Sequence, residues 1–334
     1  MNRFIAPALL FIFITVLGLP LAPAQVPQAT PQTKPQSEAQ TEPGKSATLR
    51  RDFKELPISA GEKLIYDVKF SRFIINASIG TISFEFLGVK TAPTIAGLNV
   101  DFKPPETDRF IHLRAEAVSK GFLAKLFGMT VNDRFESLAD AQDFGARLSF
   151  KEIQESKNHS IHTTLFDREK QAAKYVVADL NKPQAPPREK SLAISNGALD
   201  LLSAFYFLQL QKLKEHEILR FPVSHDGQQY QFEIVIGKRE KLSTDFGKFN
   251  TIKLEPKLFG PGRLFSRSGE MTMWVMDDDC HLPLKLVAKT SAGTITATLL
   301  KVEGPKVESN PGKNSNGNAA KDLKDSCKHR AKRA

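Results

Sequence analysis

Five adjacent residues in the C-terminal half of the chain carry side chains that metal ions and catalytic sites use. They are Asp277, Asp278, Asp279, Cys280 and His281. Mononuclear zinc sites take ligands from spaced positions, and calcium loops need alternating oxygen ligands followed by a distant glutamate. The run has neither spacing. Aspartates favour turns because they bond to their own backbone, and the run lies between two segments of alternating apolar residues. We therefore predict a turn between two strands, with no metal bound.

The other histidines give no clear catalytic pattern. His159 and His162 would lie on opposite faces of a strand, so we predict that both are surface side chains. His216 lies between two glutamates, which we interpret as a solvated loop after a helix. The sequence has no common hydrolase, metalloprotease or nucleotide-binding motif. We predict that the protein is not an enzyme and uses no cofactor. A hydrolase that acts through Asp278 or His281 is the less favoured alternative.

The elements that must position these residues are mostly strands. Apolar and polar residues alternate in segments such as KLIYDVKF, GTISFEF and QYQFEIVIG, and Asp-Gly or Gly turns separate some neighbouring segments. One segment, SNGALDLLSAFYFLQLQKLK, has the helical spacing of apolar residues, with Ser195 or Asn196 as its cap. These patterns predict an all-β fold, an antiparallel meander that forms an open or closed barrel with one main helix packed against it.

The two ends of the chain differ in composition from the middle. Residues 1–24 combine a basic residue, an apolar run and a small-residue cleavage pattern, which indicates a signal peptide, with an uncleaved anchor as the alternative. Residues 25–51 are rich in Pro and Gln, and residues 304–334 are polar and basic. We predict a disordered linker and a disordered tail on either side of one domain at 52–303. After cleavage we expect no transmembrane segment, and a location in the periplasm or at the outer membrane.

The formal net charge is +10, and most of it lies in the two ends of the chain. The predicted domain is nearly neutral, so the basic composition does not indicate a nucleic-acid partner. The basic tail could contact anionic lipid, and the simpler interpretation is a solvated tail.

Several segments, taken together and in order, resemble a known family. They include FGMTVNDRFESLAD, LSTDFGKFNTIKLEP and MTMWVMDDDCHLPLKLVAKTSAGTITATL, and the resemblance covers residues 61–302. The sequence resembles the DUF3108 family of exported bacterial proteins, whose function is unknown. The resemblance implies an exported, mainly antiparallel β protein and transfers no activity, cofactor or site residue. At the level of the fold it is also similar to the open barrels of LolA/LolB-type lipoprotein carriers, which is an analogy of architecture only.

Bulky residues on the inward face of a barrel either fill a core or line a ligand cavity. The chain has 24 phenylalanines and one tryptophan. The candidates for contact with an apolar, lipid-like ligand are Tyr66, Phe84, Phe86, Phe110, Phe205, Tyr206, Phe232 and Trp274. We predict that the protein binds an apolar small molecule or lipid in the cell envelope. The alternative is that these side chains form an ordinary core.

The loop KLFGPGRLFSRSG offers a second kind of site. Its Phe259, Arg263, Leu264 and Phe265 suit a membrane interface or a groove on another protein. They support the alternative function of a structural or assembly factor that binds an envelope protein. The other interpretation is that the loop folds back onto the barrel.

Cys280 and Cys327 are the only cysteines of the chain. Two cysteines are too few for a disulfide framework, but an oxidising compartment permits one bridge. The sequence leaves open whether they pair or remain thiols.

Overall fold

The structure is a computed structural model, and it describes residues 46–50, 58–91, 93–120, 130–265, 268–304 and 323. The strands of these residues form one sheet of 14 strands. In chain order they are β1 (Glu62–Arg72), β2 (Ile75–Lys90), β3 (Phe110–Ser119), β4 (Asn132–Asp140), β5 (Ala146–Glu155), β6 (Asn158–Asp167), β7 (Ala172–Asp179), β8 (Arg188–Ala193), β9 (Ile218–His225), β10 (Gln228–Thr244), β11 (Gly247–Pro256), β12 (Gly269–Met276), β13 (Pro283–Thr290) and β14 (Gly293–Glu303). The main helix, α1 (Leu201–Gln209), lies between β8 and β9 in the chain.

The order of strands divides the sheet into two meanders. β8 to β1 run in reverse chain order across one part of the sheet, and β14 to β9 continue across the other part. The first and last strands are therefore neighbours at the centre, where Lys63 pairs with Glu303, and β8 and β9 form the edges. The predicted all-β antiparallel meander with one helix is confirmed. Of the two predicted forms, the open one is correct.

The alternation of residue types explains why the strands form. In β1, Leu64, Tyr66, Val68 and Phe70 are buried, and the residues between them are less buried or exposed. A strand places successive side chains on opposite faces, so this pattern buries one face of the sheet. The Asp-Gly pair also forms the predicted turn between β9 and β10, and positive φ angles at both of its residues match a two-residue hairpin turn.

Helix α1 begins later in the chain than the sequence predicted. Its cap is Asp200, and the prediction of Ser195 or Asn196 is wrong. Asp200 Oδ1 accepts hydrogen bonds from the backbone N–H groups of Leu202 at 2.8 Å and Ser203 at 3.0 Å. The helix is buried on several sides and contacts β3, β4 and β9. It therefore packs against the sheet as predicted, and its residues belong to the main core.

A second layer covers part of the opposite face of the sheet. Ile95 lies in the connection between β2 and β3 and packs with Phe110 of β3. They form one cluster with the buried residues Leu138, Leu148, Phe150 and Ile161. This region of the sheet is therefore buried on both faces, which explains why alternation is weak in β4 and β6.

The chain that leads into α1 bridges a seam between β5 in one meander and edge strand β9 in the other. Ala146 of β5 donates its N–H to Ala198 O at 2.8 Å. Leu199 donates to Pro222 O at 3.0 Å and accepts from the Ser224 N–H at 2.7 Å. The backbone groups of edge strand β9 are thus partly paired, which protects an edge that would otherwise be open.

The ends of the chain are described only in part. Residues 46–50, within the predicted linker, lie against the domain, because Ala47 donates to Ile218 O at 2.9 Å and Arg50 N donates to Gln211 Oε1 at 2.8 Å. Leu323, within the predicted tail, is fully buried in the main core. The predicted signal peptide and most of the predicted linker and tail lie outside the described residues.

Candidate ligand-binding cavity

A cavity of about 180 Å³ lies between α1 and the sheet. Both meanders and the helix contribute to its wall. The apolar residues that line it include Ile82, Phe84, Ala115, Phe135, Leu202, Ala204, Phe205, Phe221, Phe232, Ile234, Met271 and Met273. The cavity is therefore mainly aromatic and aliphatic, as is usual for sites that bind small apolar molecules.

Three of the predicted aromatic residues line the cavity. They are Phe84, Phe205 and Phe232. The rings of Phe84 and Phe205 stack with their centroids 4.1 Å apart, which joins β2 to the helix. Tyr66 lines a smaller adjoining void, and its hydroxyl donates to Pro283 O at 2.8 Å. Burial raises the pKa of the Tyr66 phenol far above its usual value, so it stays uncharged.

The other predicted aromatic residues lie elsewhere. Phe86 and Tyr206 are buried in the main core and do not line the cavity. Phe110 belongs to the cluster on the opposite face of the sheet, because it shares the alternation of His112 and Arg114 rather than that of its apolar neighbours. The prediction that Phe110 faces inward is wrong.

Trp274 also lies on the outer face of the sheet. Its indole N–H donates to a carboxylate oxygen of Glu240, and the Lys285 ammonium lies 5.6 Å from the ring centroid. Met273 and Met271 on the same strand line the cavity, so the alternation of β12 directs Trp274 away from it. The prediction of an inward tryptophan is wrong for this reason.

The loop predicted as an interface folds back onto the sheet. Phe265 is buried and stacks on Phe259 with centroids 4.8 Å apart. Leu264 and Phe265 line the cavity, and Arg263 Nη2 lies 2.8 Å from Glu233 Oε2. The loop is therefore part of the cavity wall, which is the second of the two interpretations that the sequence allowed.

One wall of the cavity is polar. Lys151 of β5 and Asp226 of the β9–β10 turn form a direct ion pair there, and both line the cavity. Tyr175 donates its hydroxyl to Asp226 Oδ1 at 3.1 Å, and His225 Nε2 lies 3.1 Å from Asp226 Oδ2. His162 Nδ1 lies 2.6 Å from the Tyr175 hydroxyl and extends the network. Residues of β5, β6, β7 and the β9–β10 hairpin thus meet in one buried hydrogen-bond network.

The burial of this network decides the charge of its members. Burial lowers the pKa of His162 to about 3 and that of His225 to about 3, so both imidazoles are neutral at neutral pH. Burial disfavours the Asp226 carboxylate, but His225 and Lys151 outweigh that effect and lower its pKa to about 2. Burial also lowers the pKa of Lys151, and the attraction to Asp226 opposes that shift.

Sequence reasoning missed these residues for identifiable reasons. His162 was predicted to lie on the surface, and that prediction is wrong. The side chain of His162 is buried on the same face of the sheet as Lys151, its partner on β5, and contacts the Tyr175 hydroxyl. The prediction that His159 and His162 lie on opposite faces is correct, since His159 is partly exposed and contacts Glu152. The sequence carried little signal for this network, because Lys151 shares its face of β5 with Ser149 and Glu155 and therefore resembles a solvent-facing residue.

The acidic run forms the predicted turn between β12 and β13. Asp278 Oδ1 accepts the Cys280 N–H at 3.1 Å, and His281 Nδ1 lies 3.2 Å from Gln209 O at the end of α1. Among the described residues, no group of three or more His, Cys, Asp and Glu side chains is placed to hold a metal ion. Cys280 is buried and disulfide-bonded, and Cys327, whose pairing the sequence left open, lies outside the described residues.

Two carboxyl groups, those of Asp133 and Glu155, lie on the same face of the sheet as Lys151. Burial raises the pKa of Asp133 to about 6, and burial together with Asp133 raises the pKa of Glu155 to about 8. Asp133 Oδ1 also accepts the Gln154 N–H at 2.7 Å. Near neutral pH the two groups therefore hold one proton between them.

The fold and the cavity define an open, antiparallel β-barrel-like protein with a small apolar pocket beneath one helix. The chain belongs to the family of proteins of unknown function called DUF3108, whose model matches residues 84–300. The family resemblance seen in the sequence is thereby confirmed. No curated protein sequence matches the chain. No helix within the described part of the chain is long and apolar enough to cross a membrane.

Three solved structures align with about three quarters of the chain at very low sequence identity. The β-barrel-like DUF1849 protein from Brucella abortus has 10% identity and a TM-score of 0.46, with 73% of this chain and 98% of that chain covered. A candidate exported protein with a YmcC-like fold from Bacteroides fragilis has 7% identity and a TM-score of 0.26, with 76% and 100% covered. A candidate lipoprotein from Parabacteroides distasonis has 7% identity and a TM-score of 0.28, with 75% and 99% covered.

Proposed function

We propose that the protein is an exported protein of the cell envelope that binds an apolar, lipid-like molecule and does not act as an enzyme. The observation that carries the proposal is the cavity of about 180 Å³ beneath α1, with the stacked rings of Phe84 and Phe205 in its wall. Export is supported by the signal-peptide pattern at residues 1–24.

The size of the cavity limits the ligand. A cavity of roughly 150 Å³ lined by apolar side chains binds benzene, whereas drug-sized ligands occupy roughly 300 Å³ or more. At about 180 Å³ the cavity accommodates one ring or a short segment of an acyl chain rather than a whole lipid. We therefore expect the protein to hold one end of an apolar chain.

Filling the cavity tests this function. Ala204 lies on α1 and lines the cavity, so Ala204→Leu adds apolar volume without a polar group. We expect the variant to bind the uncharged dye N-phenyl-1-naphthylamine, whose phenyl ring is of the size that the cavity accommodates, about tenfold more weakly while its thermal stability is kept. Ala178→Leu is the matched control, because Ala178 is a half-buried strand residue that does not line the cavity.

Equal dye binding by the wild type and Ala204→Leu would contradict the proposal, as would the absence of any apolar molecule in organic extracts of the purified protein. The alternative function as an assembly factor is less well supported, because Leu264 and Phe265 of the predicted interface loop contribute to the cavity wall. A partner captured from envelope extracts and lost on Phe265→Asp would favour that alternative.

A further inference from the structure

The polar wall of the cavity has no role in binding a purely apolar molecule. Lys151, Thr164, His225 and Asp226 line the same cavity as Phe84. Burial of a lysine costs free energy even when it is paired, so an ordinary core would be expected to use an apolar residue at this position. The polar wall therefore indicates that the ligand has a polar group beside its apolar part.

The hydrogen-bonding capacity of the wall indicates what that group offers. The carboxylate of Asp226 already has hydrogen-bond partners, because Oδ1 accepts hydrogen bonds from Lys151 and Tyr175 and Oδ2 contacts His225. An ammonium group has three N–H donors, and Lys151 directs one of them at Asp226. The hydroxyl of Thr164 is a further donor on the same wall. The wall can therefore still donate hydrogen bonds to a ligand, and the group on the ligand that would match it is a hydrogen-bond acceptor.

The charge of the wall indicates that this acceptor is uncharged. Lys151 and Asp226 carry opposite charges that cancel within one direct contact. His162 and His225 are neutral at neutral pH, as their low pKa values of about 3 indicate. A carboxylate or phosphate would bring a buried negative charge with no compensating cation, which is strongly unfavourable.

We infer that the polar wall binds the carbonyl oxygen of an acyl ester, while the acyl chain lies against the aromatic residues of the cavity. Lys151 donates to the carbonyl, and Asp226, which also contacts His225, holds the lysine in place. This inference rests on the proposed function, since it assigns the polar end of the same site.

Displacement of N-phenyl-1-naphthylamine by three ligands of similar chain length tests the inference. The ligands are methyl octanoate, octanoate and nonane, compared at neutral pH. We expect methyl octanoate to bind about tenfold more tightly than either of the others, because only the ester pairs its oxygen with Lys151 without burying a charge.

Two variants and a control assign the preference to the polar wall. Lys151→Met removes the donor, and the double variant Lys151→Met/Asp226→Gly also removes the charge that the single variant would leave unpaired without adding another donor; glycine adopts the positive φ of Asp226. In both we expect the ester to bind no better than nonane, with nonane binding unchanged. Lys241→Met is the control, because Lys241 is an exposed lysine on β10 away from the cavity.

The outcomes separate this inference from the proposed function. Tighter binding of octanoate than of its methyl ester, or equal binding of ester and nonane by the wild type, would overturn the inference and leave apolar binding intact. A tenfold ester preference that survives in the double variant would also overturn it. If neither the dye nor nonane binds, the proposed function fails and the inference fails with it.

Discussion

Single polar side chains at buried positions define the site more sharply than the aromatic residues do. Asp200 caps α1, accepts the Ser137 hydroxyl at 2.5 Å, and lines the cavity beside the helix. Burial raises the pKa of Asp200, and the hydrogen bonds from Ser137 and from the first turn of α1 oppose that shift. Asp200 therefore ties the start of α1 to Ser137 of β4 beside the cavity.

Removal of this cap should destabilise the protein measurably. We expect Asp200→Ala to lower the free energy of unfolding by about 1–2 kcal/mol, because two helix N–H groups lose their acceptor. Denaturant titration measures the change. Asp200→Asn is the control, since its amide oxygen can still accept these bonds, and an equal loss in both variants would argue against the capping role.

The pair Asp133 and Glu155 should give the protein a distinctive dependence on pH. Their folded pKa values of about 6 and about 8 lie above the ordinary values of 3.8 and 4.5. Because the folded state binds these protons more tightly than the unfolded chain does, protonation of the pair stabilises the fold. This contribution is fully present below about pH 4 and is lost as the pH rises towards 8. We expect the wild type to lose about 1 kcal/mol or more between pH 5.5 and pH 8.5 from this source.

Glu155→Gln isolates that contribution, because the amide cannot take a charge. The difference in unfolding free energy between this variant and the wild type should shift in favour of the variant as the pH rises. Chemical denaturation at several pH values measures this difference. A difference that stays constant across the range would show that the pair does not share a proton in the folded state.

The position of a residue could be predicted from the sequence where it follows from the pattern of its own strand, and could not where it depends on contacts between strands far apart in the chain. Alternation within β12 puts Trp274 on the same face as Thr272 and on the opposite face from Met273. The outward orientation of the tryptophan was therefore predictable from the sequence. The contact of Lys151 with Asp226 depends on how remote strands meet across the seam. No local pattern specifies that meeting, so the polar wall could not be predicted.

At the scale of elements, the hairpin between β1 and β2 has an unusual turn. Phe73 has a φ of 53°, and Phe73 and Ile74 are 94% and 99% exposed. A bulky residue in the left-handed region is strained, and an exposed side chain gains little packing to offset that strain. The strands on either side were predictable from their alternation, whereas this turn lacks the usual glycine or asparagine signal.

Replacement of the strained residue should stabilise the protein. We expect Phe73→Asn to raise the free energy of unfolding by about 0.5–1 kcal/mol, because asparagine tolerates the left-handed region better. Ile74→Asn is the matched control, since Ile74 is equally exposed and has no positive φ. A gain in the control as large as that in Phe73→Asn would refute strain as the cause.

At the scale of the whole molecule, the open sheet has one well-paired centre and two edges of unequal character. β1 lies between β2 and β14, whereas β8 is an edge strand whose residues are nearly all exposed. Edge strands with charged, exposed residues resist pairing with other chains. The family match at residues 84–300 includes strands of both meanders and begins after β1.

Amide hydrogen exchange should map this difference directly. We expect the amides of β1 to exchange only through global unfolding and those of β8 to exchange through local opening, at rates faster by several orders of magnitude. Exchange measured by mass spectrometry on peptides from the two strands provides the comparison. Similar protection of both strands would contradict local opening of the edge strand.

The pairing of β1 with β14 also constrains the order in which the molecule can fold. During synthesis β1 is made before the other strands of the sheet, and β14, with which it pairs, is made after them. Local hairpins can form early, but closing the centre requires contact between residues near opposite ends of the domain, which is slow because the loop-closure entropy is lost before the contact forms. Until then β1 exposes an unpaired edge to other chains. We therefore expect a newly made chain to be most prone to aggregation in the interval before β14 is available to pair with β1.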